Sequence, residues 1–237
     1  MRLLVGTSGF SYDEWRGSFY PEDLPAAEML PHYAARLSSV EINNTFYRMP
    51  KPSVVEGWAA KVPESFRFVL KASQRITHRK RLKEAGEDVA YMLGVFAALG
   101  AKLGAILIQL PPNLKQDVAR LQGFCAHLPS GTRAAFEFRH PSWFDDATYA
   151  TLAARNLALV ASETDEAPLP PLVRTADFGY LRLRRTTYGP GELAGWVERL
   201  RGQDWLEAFV FFKHEDAGTG PRLAAEFLER FQTAGPT

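Results

Sequence analysis

The chain has 237 residues, 46% of them apolar, and its 28 basic and 27 acidic residues give a formal charge of +1. Such a chain can bury one large core, and it has no overall field that would draw it to nucleic acid or to a membrane surface. Any attraction for anions therefore has to be local. Its length is close to the about 250 residues of one closed eight-stranded barrel, so a single domain over residues 1–237 is enough.

The first strand-like run, Leu3 to Gly6, follows Met1 without the charged segment and apolar core of a signal peptide. No later apolar run approaches a membrane span, so a cytoplasmic location with no membrane partner is expected. Further β-like runs are Ser39 to Asn43, Phe66 to Lys71, Ala105 to Gln109, Ala134 to Arg139, Leu157 to Ser162, Tyr180 to Arg184 and Phe209 to Lys213. Amphipathic stretches of helical period lie between most of them: Glu87 to Leu103, Asp117 to His127, Asp145 to Asn156, Glu192 to Arg201 and Pro221 to Phe231. Strand alternating with helix means parallel pairing and covered faces, and eight strands predict a single (β/α)8 TIM-like barrel of the α/β class. The sixth unit is irregular, because Ala167-Pro168-Leu169-Pro170-Pro171 stands where a helix belongs and extended chain would cover the sheet. An open doubly wound sheet is the alternative. The single cysteine, Cys125, falls in a helix-like stretch and reads as core packing.

Side chains on a strand alternate at a period of two, so the runs divide into an apolar outer face and an inner face that opens into a pocket. In the second run Val40 and Ile42 oppose Ser39, Glu41 and Asn43, and in the third Phe66, Phe68 and Leu70 oppose Arg67, Val69 and Lys71. The split repeats with Ile106 and Ile108 against Leu107 and Gln109, Phe136 and Phe138 against Glu137 and Arg139, and Leu181 and Leu183 against Arg182 and Arg184. Five strands thus place late polar residues on the inner face. Inward charge is costly unless it is paired or serves a ligand, and the carboxyl ends of barrel strands are where active sites are built. The competing reading is a purely structural ion-pair network.

Cations outnumber acids in this set. Lys71, Arg139, Arg182, Arg184 and Lys213 are basic, with His140 and His214 nearby, against Glu41, Glu137 and Glu163. Gly218-Thr219-Gly220-Pro221 leads into the last helix, where free backbone NH groups at a positive helix end would suit an anion. On the other reading the glycines simply form a tight turn and the arginines pair with Glu163, Asp165 or Glu215. Glu41 and Glu137 invite an acid/base role with Lys71, since burial and neighbouring charge push pKa values apart. Each carboxylate merely holding a neighbouring cation is the alternative.

The histidines His32, His78, His127, His140 and His214 are scattered singly and show no recognised metal spacing, so no cofactor is expected; a metal set gathered from several loops stays open. Tyr12, Trp15, Phe46, Tyr47 and Trp143 flank the pocket loops and suit either stacking on a ligand ring or packing. The run His78-Arg79-Lys80-Arg81-Leu82-Lys83 is the one concentrated basic stretch, suited to phosphate contacts or simply to solvation.

Long motifs now carry a resemblance. Gly6-Thr7-Ser8-Gly9-Phe10-Ser11-Tyr12 with Trp15-Arg16-Gly17 and Phe19-Tyr20-Pro21, then Glu41-Ile42-Asn43-Asn44-Thr45-Phe46-Tyr47, are similar to the two opening signatures of the YecE-like family, classed as domain of unknown function 72. Phe66-Arg67-Phe68 through Lys71, Ile76-Thr77-His78, Gln109-Leu110-Pro111-Pro112 and Glu137-Phe138-Arg139-His140-Pro141-Ser142-Trp143 extend the likeness almost end to end. The resemblance implies a TIM-like barrel and the same polar constellation, but it brings no settled activity. Two departures stand out. Where many members resemble Tyr-x-Arg-x-His-Gly, this chain has Tyr180-Leu181-Arg182-Leu183-Arg184-Arg185, and where many are asparagine-rich it has Phe212-Lys213-His214-Glu215. Either the pocket takes a more acidic ligand or Lys213 and Glu215 rearrange internal pairing.

The leading expectation is an enzyme, a lyase, isomerase or hydrolase, acting on a phosphorylated or carboxylated small molecule. Glu41, Lys71 and Glu137 would move protons. Asn43, Tyr47, His78, Gln109, Arg139, His140, Trp143, Arg182, Arg184, Lys213, His214, Gly218 and Gly220 would bind substrate. A nucleic-acid-acting barrel resembling repair endonucleases, and a binding protein without turnover, are the alternatives. The sequence assigns no oligomeric state.

Overall fold

The computed structural model describes residues 1–166 and 171–233. Its strands are β1 (Arg2–Ser8), β2 (Ser39–Ile42), β3 (Arg67–Lys71), β4 (Leu103–Gln109), β5 (Ala134–Glu137), β6 (Ala158–Glu163), β7 (Phe178–Leu183) and β8 (Glu207–Phe212). They pair in parallel in sequence order, and β1 pairs with β8 from Arg2 opposite Glu207 to Thr7 opposite Phe212, which closes the barrel. Closure excludes the open doubly wound sheet.

The helices are α1 (Met29–Ala34), α2 (Asn44–Tyr47), α3 (Pro52–Ala60), α4 (Gly86–Phe96), α5 (Val118–Cys125), α6 (Asp146–Ala153), α7 (Pro190–Arg201) and α8 (Thr219–Thr233). Local chemistry sets several starts. The Asp117 carboxylate accepts the Arg120 NH at 2.9 Å, and Asp145 does the same for Thr148 at 2.9 Å. Pro190 opens α7, and Glu192 reaches back to the Gly189 NH at 2.7 Å. The three helices of the first two units carry no clear period in the sequence, because they are short and lie among Pro25, Pro31, Pro50 and Pro52.

The predicted alternation holds. The barrel interior packs Leu4, Val69, Ala105, Leu107, Ala135, Ala158, Val160, Phe178, Tyr180, Phe209 and Phe211, while Val40, Ile42, Phe68, Leu70, Ile106, Ile108, Phe136, Leu181 and Leu183 belong to the layer under the helices. Ala167 to Pro170 of the irregular unit lie outside the described residues. No helix occurs in the described part of that connection; Leu172 and Val173 pack on the outer core there. Thr175 ties it to β6, accepting the Leu159 NH at 2.9 Å and donating to the Leu157 carbonyl at 2.8 Å.

One seam departs from simple strand pairing. The Tyr33 hydroxyl enters between β1 and β2, accepting the Thr7 NH at 2.8 Å and donating to the Ser39 carbonyl at 2.8 Å. Gly6 makes room for it: a Cβ there would lie 1.8 Å from the Ser39 oxygen and 2.8 Å from the tyrosine oxygen.

Candidate functional site

At the carboxyl ends of the strands the inner layer turns from apolar to ionic. Arg182 on β7 lies between two carboxylates, its Nη2 2.7 Å from Glu41 Oε1 on β2 and its Nη1 2.6 Å from Glu137 Oε2 on β5. All three side chains are buried. Burying such a triad is tolerable only if its other polar atoms are largely met as well; each carboxylate has further partners, and Arg182 Nε alone among the triad's polar atoms has no hydrogen bond. Glu41 accepts from Ser8 Oγ at 2.7 Å, Asn43 Nδ2 at 2.9 Å and the Tyr180 hydroxyl at 2.6 Å. Glu137 accepts from Gln109 Nε2 at 2.8 Å and Arg139 Nε at 3.3 Å, with Arg184 Nη2 at 3.6 Å.

Burial is the largest single influence and would raise both carboxyl pKa values, but Arg182 and the other partners together outweigh it. Glu41 is further lowered by the Tyr180 hydrogen bond, and Glu137 by Arg184 and Arg139, so both stay below the ordinary glutamate range. Burial works against the charge of Arg182 as well, and its two carboxylates overcome that too. Glu41 and Glu137, the expected proton carriers, have a structural task in this arrangement. Their oxygens are fully engaged and ionised, and they hold the guanidinium that bridges them.

Above this clamp is a cavity of about 620 Å³ whose wall includes Asn43, Tyr47, Lys71, His78, Gln109, Arg139, Arg182, Arg184 and Lys213 from the expected set. Ser8, Tyr12, Asn44, Phe46, Gln74 and Glu215 complete it. Five cations thus meet one lining carboxylate, Glu215, and the two beneath. Arg184 also donates to Ser162 Oγ at 2.9 Å, and Lys213 is 3.9 Å from Glu215 on the open rim.

Lys71 is the least compensated of these cations. Its side chain is 9% exposed, and its Nζ sits 4.3 Å from the centre of the Phe46 ring, with no hydrogen bond or ion pair among the described residues. Burial, then Arg182, lowers its pKa to about 8 against the pull of Glu41 and Glu137. The Thr45 hydroxyl holds the Lys71 carbonyl at 2.6 Å, which fixes the end of β3. One π-helical turn, Arg75–Arg79, follows, burying Ile76 and Thr77 and setting His78 in the cavity wall. The His78 ring meets Phe46 edge-on at 4.9 Å, and its Nδ1 is 2.8 Å from Thr77 Oγ1. Burial, with Lys71 and Arg139, lowers its pKa.

Other expected site residues lie elsewhere. Trp143 is fully buried, stacks on Phe138 at 4.6 Å and donates to the Leu114 carbonyl at 2.7 Å, so it packs. His140 caps the short turn Pro141–Trp143 through the Ser142 NH. His214 lies behind the rim, its Nε2 2.7 Å from the Arg185 carbonyl oxygen. Gly218 and Gly220 are outside the cavity wall. A Cβ on Gly218 would lie 2.6 Å from Ser18 Oγ, and one on Gly220 2.8 Å from the His214 carbonyl oxygen, so close packing explains both glycines. Glu163 faces outward, accepting from Trp196 Nε1 at 2.8 Å and the Tyr188 hydroxyl at 2.7 Å. Of the basic departures, Arg185 pairs with Asp165 and Glu192 outside the cavity, whereas Lys213 lines it.

Ser8 and Tyr180 were missed although the same alternation finds them, since Tyr180 lies two residues before Arg182 on one face. Gln74 and Asn44 had no such signal, because they stand beyond the ends of β3 and β2, where the period of two no longer applies. In the basic run, Lys80 shares Asp88 with Arg75, each at 2.7 Å, and Arg81 reaches Asn113 at 3.3 Å. Among the described residues no three His, Cys, Asp or Glu side chains group as a metal site, and no helix is long and apolar enough to cross a membrane.

Comparison with known proteins agrees with this architecture. The family model described as "Protein of unknown function DUF72" matches residues 4–237. The chain is 25% identical over 232 residues to UPF0759 protein YunF of Bacillus subtilis, covering 90% of this chain and 78% of that protein. Over 116 residues, 48% of this chain and 43% of the other, it is 32% identical to UPF0759 protein YecE of Escherichia coli K12. A crystal structure of a DUF72 family protein from Thermotoga maritima superposes with a TM-score of 0.87 at 28% identity, covering 98% of this chain and all of that one. One from Enterococcus faecalis, at 22% identity and a TM-score of 0.81, covers 99% and 97% and shares the fold.

Proposed function

Because this chain belongs to the DUF72 family, whose description specifies no reaction, we propose from the site itself that it is an enzyme acting on a phosphorylated or carboxylated small molecule. The observation that carries this reading is the convergence of Lys71, Arg139, Arg184 and Lys213 on one cavity whose buried carboxylates are already engaged by Arg182. Cations left over in a partly desolvated cleft attract an anion, and guanidinium groups suit a phosphate or carboxylate in particular. The cavity, of about 620 Å³, has the volume of a metabolite site. Nucleic acid is the less favoured partner, since the basic run spends Lys80 on Asp88 and the near-neutral chain offers no extended field.

In this reading Arg139 and Arg184 orient the anion and Lys213 guards the rim, while Arg182 serves as the internal clamp. The test is thermal denaturation with inorganic phosphate and a panel of phosphorylated and carboxylated metabolites. Ligand at 100 times its Kd should stabilise the protein by about 2.7 kcal/mol. The Tm rise should disappear in Arg184→Ala and shrink in Arg139→Ala. A broad panel that leaves the wild-type Tm unchanged removes the proposal.

A further inference from the structure

The cation set contains one member badly suited to holding an anion. Arg139 and Arg184 keep a carboxylate contact, and Lys213 stands on the open rim 3.9 Å from Glu215. Lys71 is buried, set over an aromatic face, and without an acceptor among the described residues. The two carboxylates of its own layer act on it only through space, because each of their oxygens already accepts from, or pairs with, Arg182, Tyr180, Ser8, Asn43, Gln109, Arg139 or Arg184. An amine so placed is a poor counter-ion and a good nucleophile.

We propose that Lys71 forms an imine with the carbonyl carbon of an anionic aldehyde or ketone bound in this cavity. This deepens the proposed anion-directed activity and rests on it. The Lys71 Nζ lone pair forms a bond to the carbonyl carbon while the carbonyl π pair moves to oxygen. The Lys71 ammonium has first passed one proton to His78; a second proton moves from the nitrogen to the oxygen to give the neutral carbinolamine, and the proton held on His78 then goes to that hydroxyl, which leaves as water with its bonding pair while the nitrogen lone pair forms the iminium. No electrons are gained or lost overall. The iminium then accepts the electron pair of a breaking C–H or C–C bond next to it, which narrows the class to isomerases and lyases and removes hydrolysis. His78, in the same cavity wall, is the group assigned to ferry the protons, since burial together with Lys71 and Arg139 favours its neutral ring and Thr77 engages only Nδ1. The lowered pKa of Lys71, about 8, leaves a sizeable fraction of reactive amine at neutral pH.

The experiment is reductive trapping on the intact protein. The chain is incubated with pyridoxal 5'-phosphate, an aldehyde bearing a phosphate, reduced with borohydride, and mapped by peptide mass spectrometry. A parallel arm uses pyridoxal without the phosphate, another adds inorganic phosphate as competitor, and the Tm rise with phosphate is recorded beside them. The expected result is Lys71 as the first lysine labelled, with a rate that climbs through about pH 8. Labelling should be at least about tenfold faster with the phosphorylated aldehyde, slowed by inorganic phosphate, and slowed by Arg184→Ala. Lys71 left unlabelled while phosphate still raises Tm overturns the imine and leaves the anion reading standing. Label spread over exposed lysines such as Lys83 and Lys115 also overturns it. Equal labelling by both aldehydes, indifferent to phosphate and with no Tm rise, overturns the anion reading on which the inference rests.

Discussion

Two basic residues on the inner face of this barrel have opposite energetic characters. Arg182 is paired on both sides, so Arg182→Ala leaves buried Glu41 with hydrogen bonds but no ion pair and takes from Glu137 its nearest cation, which should cost about 3–5 kcal/mol. Lys71 is uncompensated, so Lys71→Met should stabilise the protein at pH 7, by up to about 3 kcal/mol. The pH dependence follows from the direction of the shift. In the folded protein Lys71 gives up its proton near pH 8, against 10.5 for an ordinary lysine, so between those values the unfolded chain binds more protons and wild-type stability gains with rising pH. Below about pH 8 both states hold the proton and the penalty is fully present. Urea denaturation should therefore show the advantage of Lys71→Met largest near pH 7 and shrinking from pH 8 toward 10.5. A Lys71→Met protein less stable than wild type at pH 7 would contradict the account, as would an Arg182→Ala protein of unchanged stability.

Among the elements, the β1–β2 seam is the most tightly constrained. A side-chain hydroxyl substitutes there for a backbone partner, and it fits only because position 6 has no Cβ. Gly6→Ala places a methyl inside the van der Waals radius of a backbone oxygen, and relief requires strand movement. A loss of at least about 1–3 kcal/mol is expected, read as a fall in Tm together with faster exchange of the Thr7 amide. A Gly6→Ala protein with wild-type Tm would show that the seam relaxes freely. The strands themselves were legible because period two is a local property: Lys71, Gln109, Glu137 and Arg182 each share a face with the apolar or aromatic residue two positions earlier, and Glu41 follows buried Ser39 on its face. The helices of the first two units were not, since α1 and α2 span six and four residues and α3 fully buries only Val55, so no apolar face with a period of 3.6 registers. The π-turn that sets His78 in the cavity wall has no sequence signature at all.

For the molecule as a whole, closure is what keeps a hydrophobic parallel sheet from presenting an edge. β8 pairs with both β7 and β1, from residue 207 through Phe212 on each side, and α8 packs against β1 and β8. A chain ending at Gly202 would lose β8 and α8, exposing two unpaired parallel edges with apolar faces. Such a truncation should be recovered as aggregate, and a soluble monomer with native circular dichroism would show that the barrel tolerates opening.

The sequence by itself determined the number of strands, their inner and outer faces, and the basic bias of the inner set, because each follows from neighbours one to four residues apart along the chain. Only the tertiary structure decided which charges meet. Glu41 and Glu137 come from strands on well-separated parts of the barrel wall, and barrel closure and stagger bring both onto Arg182. That meeting turns two candidate acid/base groups into a clamp and leaves Lys71 as the uncompensated amine. Gly218, His214 and Trp143 went the other way, since Ser18, the Arg185 carbonyl and the Leu114 carbonyl that they meet lie on distant loops whose approach no local pattern encodes.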